Sequence, residues 1–139
     1  MRAMELDAQI RPGCSGSAEL LVGEEHTAPR VGSGKIPVLA TPVMINVIEA
    51  AALEAVERFL PPGHQSLGTR LDVRHIAATP VGMRITEVAE VVAVEGRVIR
   101  FRVEARDETD LIGDGTHERV VVNVAKFDAR VQLKAKKRA

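Results

Sequence analysis

The stretch PVMINVIEAAALEAVERFL, residues 42–60, decides the fold because its apolar residues recur at the spacing of one face of an α-helix. Thr41 and Pro42 predict where the helix starts, since threonine caps free backbone N–H groups and proline suits the first helical position. The run Pro61-Pro62-Gly63 predicts its end. The segment therefore predicts one long helix that buries an apolar face.

Glu49 does not fit that apolar face. At 100° per residue it falls within about 60° of four apolar residues of the helix, which are Ile45, Ala52, Leu53 and Val56. A buried carboxylate costs free energy unless it is paired, hydrogen-bonded or protonated. Glu49 is therefore a candidate catalytic residue.

Strands account for most of the remaining chain. A first strand is expected at 18–25, followed by the Gly/Pro-containing loop 26–40, and four more are expected at 66–79, 83–94, 97–107 and 110–126. The short turns between the last four predict antiparallel pairing. About five antiparallel strands wrapped around one long central helix make an α+β domain, the hotdog architecture. Edge strands of such a sheet commonly pair with a second copy, so a homodimer is expected.

His75 is a second polar residue on a face that is predicted to be buried, this time in a strand. The odd positions of residues 67–77 are mostly apolar and the even ones include three charged side chains, which predicts a strand with one buried face. His75 lies on the apolar side. A histidine in a core is commonly hydrogen-bonded scaffold, but if this strand packs on the helix then His75 and Glu49 enter one interior and can meet.

Composition limits the class of protein. The 139 residues, of 15.0 kDa and with 45% hydrophobic content, predict a single domain over 1–139, with a flexible lead-in at 1–17 and a basic tail at 128–139. Nineteen basic and nineteen acidic residues balance, which argues against a dedicated nucleic-acid binder. No apolar run of membrane-spanning length and no signal peptide is visible, so a cytoplasmic protein with no membrane partner is expected.

The sequence lacks the residues that a disulfide, a metal site or a serine-hydrolase active site would require. Cys14 is the only cysteine, so no intrachain disulfide can form. No HExxH motif occurs and the four histidines are scattered, so no metal is expected. Ser66 lacks the first glycine of a GxSxG elbow, which argues against a serine hydrolase.

Residues 39–83, LATPVMINVIEAAALEAVERFLPPGHQSLGTRLDVRHIAATPVGM, and residues 113–127, GDGTHERVVVNVAKF, resemble thioesterase-superfamily hotdog proteins related to fluoroacetyl-CoA thioesterase. The resemblance implies hydrolysis of an acyl-CoA thioester to a carboxylic acid and free coenzyme A, with coenzyme A present only as part of the substrate and no other cofactor. The family's catalytic threonine, glutamate and histidine fall on Thr41, Glu49 and His75. Its glycine near the thioester carbonyl falls on Gly68.

The resemblance implies a role for each residue. Glu49 would act as general base on water or as a nucleophile that forms a transient anhydride. His75 would polarise the carbonyl or protonate the departing sulfur, Thr41 would orient a reacting group through its hydroxyl, and the Gly68 backbone N–H would stabilise the oxyanion. Two of these residues also have purely structural interpretations, since Thr41 could simply cap the helix and Gly68 could mark a strand bulge.

His117 and Arg119, within the second motif, either line the site or serve the structure. The basic tail is either simply solvated or attracts the phosphates of coenzyme A.

The acyl group is not specified by these motifs. The loop 26–40 contains no aromatic residue to cover an acyl pocket, so we expect a preference for short or medium acyl groups and no selectivity for fluoroacetyl. Two other functions stay open: a hotdog module that binds acyl-CoA without turnover, and a hotdog enoyl-CoA hydratase.

Overall fold

The computed structural model describes residues 6–138 as five β-strands and three α-helices. Their order along the chain is β1 (Ser15–Leu21), α1 (Ala28–Val31), α2 (Thr41–Val56), β2 (His64–His75), β3 (Arg84–Glu95), β4 (Val98–Arg106), β5 (Leu111–Asn123) and α3 (Val124–Lys136). Single turns of 3-10 helix, Glu24–His26 and Glu57–Phe59, precede α1 and follow α2. This is the α+β arrangement of one long helix and five strands that the sequence predicts.

The strands form one antiparallel sheet in the order β1-β3-β4-β5-β2. Short turns join β3 to β4 and β4 to β5, which makes these strands neighbours. The strand β2 pairs only with β5, so among the described strands its other edge has no partner.

The core lies between α2 and the inward face of the sheet, and α2 packs most closely on β1 and β3. The buried face of α2 is rich in alanine, including Ala51, Ala52 and Ala55, and small side chains let a helix approach a sheet closely. Gly16 of β1 lies at that approach, because a side chain there would collide with the backbone of Ala51 and Ala55.

The strand β4 shows why the strand predictions were successful. Ile99, Phe101, Val103 and Ala105 are buried, and the residues between them are exposed, as the alternation predicts. Strand boundaries lie within four residues of those expected, and the largest differences are that β1 ends at Leu21 instead of 25 and β2 ends at His75 instead of 79.

Both ends of the described chain carry more structure than expected. In the lead-in, residues 1–5 lie outside the described residues, but Ile10 is buried in the core and the Cys14 thiol donates a hydrogen bond to the Ala55 carbonyl. The basic tail belongs to α3, which begins with the Asn123 side chain accepting a hydrogen bond from the Lys126 backbone N–H. Its side chains are nearly all exposed, as expected for a solvated basic segment. Over residues 6–138, no helix has the length and apolar character required to cross a membrane.

Candidate active site

Thr41 and His75 form a hydrogen-bonded pair. Thr41 is the first residue of α2 and His75 is the last residue of β2, and the Thr41 Oγ1 atom lies 2.7 Å from His75 Nδ1. The residue at the helix cap is Ala40, and no side chain caps this end. The interpretation of Thr41 as a capping residue is therefore wrong, because its hydroxyl is directed to the histidine instead.

The second ring nitrogen of His75, Nε2, makes no hydrogen bond within the described chain. The Nε2 atom is also buried. Burial lowers the pKa of the His75 imidazole, with a smaller opposing effect from the backbone of Ala77. The ring is therefore neutral at pH 7, with one nitrogen held by Thr41 and the other buried without a partner among the described residues.

An open cavity of about 420 Å³ lies beside this pair. Thr41 and His75 form part of its wall, and residues 33–36, 38 and 39 of the loop before α2 form another part. Lys35 is the one charged side chain that this loop contributes, and Ile36 and Leu39 are its larger apolar ones. The cavity is within the size range of small-molecule sites in proteins.

Glu49 lies at the flank of α2 and not on its buried face. Its side chain is 36% exposed, and its Oε2 atom accepts a hydrogen bond of 3.2 Å from Arg119 Nη1. The prediction that β2 would pack its apolar face on α2 is wrong, because α2 packs mainly on β1 and β3 and touches β2 at few points. No hydrogen bond links Glu49 to His75 or Thr41 in this chain.

Gly68 lies next to the Glu49 carboxylate. A Cβ atom at Gly68 would lie 2.5 Å from Glu49 Oε2 and 3.1 Å from His117 Cε1, so a side chain there would displace one of them. The pairing register with β5 shifts between Gly68 and Arg70, which leaves Thr69 as the extra residue of a bulge. The bulge interpretation is confirmed, and it adds to the steric reason for glycine.

Arg119 is a buried cation that links this part of the site together. Its residue is 4% exposed, and its guanidinium donates from Nε to Ser66 Oγ at 2.8 Å and from Nη2 to the Ser66 carbonyl at 3.0 Å. Its Nη1 lies between Glu49 Oε2 at 3.2 Å and His117 Nε2 at 3.1 Å. Four hydrogen bonds to three residues therefore fix the plane of the guanidinium.

His117 is fully buried and its tautomer follows from its partners. Since arginine can only donate, His117 Nε2 must accept from Arg119, and Nδ1 then donates to the Arg70 carbonyl at 2.8 Å. Burial is the main cause that lowers the pKa of His117, and the charge of Arg119 lowers it further. His117 is therefore a neutral scaffold histidine, which is one of the two roles that the sequence left open.

The Arg119–Glu49 ion pair and the hydrogen bonds of Ser66 to Arg119 were not predicted from the sequence. Alternation along β5 places His117, Arg119 and Val121 on the buried face, so the signal for Arg119 was a charge on an inward face. In the part of the chain that the structure describes, no group of three His, Cys, Asp or Glu residues could hold a metal ion.

The chain is similar to several known proteins. A family model described as Fluoroacetyl-CoA-specific thioesterase matches residues 22–125. The curated fluoroacetyl-CoA thioesterase of Streptantibioticus cattleyicolor is 47% identical over 97 residues, which are 70% of each protein. A solved structure of the fluoroacetyl-CoA thioesterase superposes with a TM-score of 0.85 at 38% identity, covering 89% of this chain and 96% of that one.

Two further solved structures support the fold. A thioesterase-superfamily member from Thermus thermophilus superposes with a TM-score of 0.87 at 32% identity, over 94% of this chain and 96% of that one. A hot-dog-like protein from Thermanaerovibrio acidaminovorans superposes with a TM-score of 0.81 at 25% identity, over 88% and 91%. The prediction of a hotdog fold is confirmed.

Proposed function

The chain belongs to the fluoroacetyl-CoA-specific thioesterase family, and from this premise we propose that Thr41, Glu49 and His75 form the active site with which it hydrolyses a short or medium acyl-CoA thioester. The family and the curated relative are thioesterases, so the protein is a hydrolase that acts on acyl-CoA thioesters. The assignment of the three residues is supported above all by the Thr41–His75 pair, whose free Nε2 atom belongs to a histidine in the wall of an open cavity.

The Thr41–His75 pair supplies a proton donor in this proposal. If Thr41 donates its hydroxyl hydrogen to Nδ1, the single proton of the neutral ring lies on Nε2. That Nε2–H polarises the thioester carbonyl or protonates the departing sulfur. The C–S bond then breaks, a C–O bond to water forms, and the products are the carboxylic acid and free coenzyme A.

Glu49 is the second reactive group. It takes a proton from water, or attacks the carbonyl itself to form a transient anhydride, and in either case its carboxylate must be held still. The contact with Arg119 does so. The missing side chain of Gly68 leaves room for the Glu49 carboxylate itself, and the interrupted ladder at the neighbouring bulge supports a backbone N–H as the oxyanion donor.

A homodimer is part of the proposal because the site is divided within one chain. Thr41 and Glu49 are eight residues apart on α2, about 12 Å along the helix axis, so one acyl group cannot reach both halves at hydrogen-bonding distance. The free edge of β2 exposes Leu67 and Leu71, each 38% exposed, and can pair with a second β2. An antiparallel pairing centred between Leu71 and Asp72 would set Gly68 opposite His75 of the partner subunit.

Release of free thiol from a panel of acyl-CoAs tests the function. We expect turnover on short or medium chains, its loss in His75→Ala, and its retention in the matched control His64→Ala, which removes a histidine from the opposite end of β2. The thiol signal of Cys14 is subtracted. Saturable binding with no product would instead identify an acyl-CoA-binding module, and a hydroxyacyl thioester would identify a hydratase.

The acyl preference is tested in the same panel. The loop that lines the cavity offers aliphatic side chains and Lys35 but no aromatic ring, so we propose that fluoroacetyl-CoA has no advantage over acetyl-CoA. A strong preference for fluoroacetyl-CoA would overturn this part of the proposal. We place the activity in the cytoplasm as part of the same proposal, because the substrate is a coenzyme A thioester.

A further inference from the structure

Glu57 and Ser66 join the end of α2 to the start of β2. Glu57 lies in the 3-10 turn after α2, and its carboxylate accepts the Ser66 backbone N–H at 3.0 Å and the Ser66 hydroxyl at 2.9 Å. Ser66 is 5% exposed, so these bonds are largely protected from water. Because the hydroxyl hydrogen is committed to Glu57, the lone pairs of Ser66 Oγ are left to accept from another residue.

Arg119 is that other residue. Ser66 offers it two acceptors, the side-chain Oγ at 2.8 Å from Nε and the backbone carbonyl at 3.0 Å from Nη2. A guanidinium is planar and rigid, so two bonds along one side fix the direction of the nitrogen on the other side. That nitrogen is Nη1, and it donates to Glu49 Oε2.

Two carboxylates, Glu49 and Glu57, are connected to Arg119 in different ways. Glu49 on α2 contacts Arg119, the one buried cation among residues 6–138, whereas Glu57 in the turn after α2 is connected to Arg119 only through Ser66. Ser66 satisfies Glu57 with two neutral donors, so the guanidinium is left to pair with Glu49. Glu49 is 36% exposed at the flank of the helix, where a glutamate side chain would otherwise sample several rotamers.

We propose that Glu57 and Ser66 are positioning residues of the active site, which act through Arg119 to hold the Glu49 carboxylate in its reactive position. The inference rests on the proposed role of Glu49 in thioester hydrolysis. Neither residue lines the cavity beside His75, so we expect their removal to lower the rate of the chemical step and to leave substrate binding nearly unchanged.

The test compares Ser66→Ala, Ser66→Thr and Glu57→Gln with two matched controls. Glu54→Gln alters the carboxylate of a similar helix-to-strand contact, in which Glu54 Oε2 accepts the Ser17 backbone N–H at 3.3 Å without any link to Arg119. Ser17→Ala removes a serine hydroxyl beside that contact and leaves its backbone N–H in place. Urea unfolding of each variant checks that the fold is retained.

We expect Ser66→Ala to lower kcat by about 10- to 100-fold, with KM within about threefold of wild type. Ser66→Thr keeps the hydroxyl and retains most of kcat, Glu57→Gln shows a smaller loss than Ser66→Ala, and both controls retain kcat. An unchanged kcat in Ser66→Ala and Glu57→Gln overturns the inference, as does a rise in KM alone or an equal loss in the controls.

A second readout separates this inference from the proposed function. The ¹H–¹⁵N signal of the Arg119 Nε–H group reports its bond to Ser66, and we expect it to shift in Ser66→Ala, Glu57→Gln and Glu49→Gln but not in the controls. If the wild-type protein hydrolyses none of the thioesters, the proposed function fails. The Arg119 Nε–H signal then tests by itself whether Glu57 and Ser66 position Arg119. A signal that stays unchanged in Ser66→Ala overturns that inference.

Discussion

Replacing Glu87 with glutamine should stabilise the protein by about 3 kcal/mol at pH 7, by removing a carboxyl group that the core holds without a partner. Glu87 lies on the inward face of β3, is fully buried, and neither of its carboxyl oxygens has a hydrogen bond to residues 6–138. Its neighbours across the sheet are Ala18 on β1 and Ala105 on β4, which have no polar side chain to offer.

The magnitude follows from the proton that Glu87 retains in the folded state. Burial raises the pKa of Glu87 to about 8, from an ordinary value of 4.5. Below pH 4.5 the group is protonated in both states and has no effect on the pH dependence of unfolding. Above pH 4.5 only the unfolded state releases the proton, so stability falls by about 1.4 kcal/mol per pH unit until the folded pKa is reached. From pH 4.5 to 7 the loss is about 3 kcal/mol.

Urea unfolding at pH 5, 6 and 7, at fixed ionic strength and protein concentration, measures this effect. Glutamine has nearly the same shape and also leaves two polar atoms unbonded, one oxygen and one nitrogen, but it does not ionise. The wild type and Glu87→Gln should therefore differ by about 1 kcal/mol at pH 5 and about 3 kcal/mol at pH 7. Glu19→Gln is the control, since that side chain is 57% exposed. A difference that does not change with pH, or a wild type more stable than Glu87→Gln at pH 7, would refute the reasoning.

Three further predictions concern the site. Refolding a mixture of Glu49→Ala and His75→Ala should restore roughly a quarter of wild-type activity if sites form between subunits, since half of the dimers are mixed and each has one intact site; no recovery would place each site within one chain. Thr41→Ser should keep most of kcat and Thr41→Val should lose about 10- to 100-fold, because only the hydroxyl can bond to His75; equal rates would remove Thr41 from the mechanism. Gly68→Ala should lower kcat by about tenfold with little change in the urea midpoint, because its Cβ would displace the Glu49 carboxylate; an unchanged kcat would contradict this.

The fold was predictable because its elements have local signatures. The apolar spacing of α2 and the alternation of β4 depend on residues close together in the sequence, and both were confirmed. The side of α2 that meets the sheet was not predictable in the same way. Ile45, Glu49 and Leu53 share a flank that the sequence counts as apolar, but the sheet covers the neighbouring face of Met44, Ile48 and Ala55.

The strand β2 shows how one local irregularity changes a prediction. A period-two pattern assigns every odd residue to one face, but the bulge at Thr69 shifts the alternation. Ser66, at an even position before the bulge, is buried, while His75, at an odd position after it, is partly buried. The placement of His75 on the more buried side of β2 therefore agreed with the structure, whereas the burial of Ser66 was not predicted.

The partner of each buried charge was the least predictable part of the site. Thr41 and His75 are 34 residues apart and Glu49 and Arg119 are 70 residues apart, so the contacts depend on how α2, β2 and β5 meet in three dimensions. The catalytic roles of Thr41, Glu49 and His75 stay a prediction that the activity measurements above will test.

Glu49 and Glu87 share one sequence feature, a carboxylate among apolar positions, but their environments in the structure are opposite. Glu87 lies between alanines and keeps a proton, so it costs stability at neutral pH and has no partner through which to act. Glu49 lies at an open flank with a buried arginine against it, so it is held in place while one side stays accessible. A misplaced charge in a sequence therefore indicates function only when the fold supplies both a partner and access, and of these two carboxylates Glu49 alone has both.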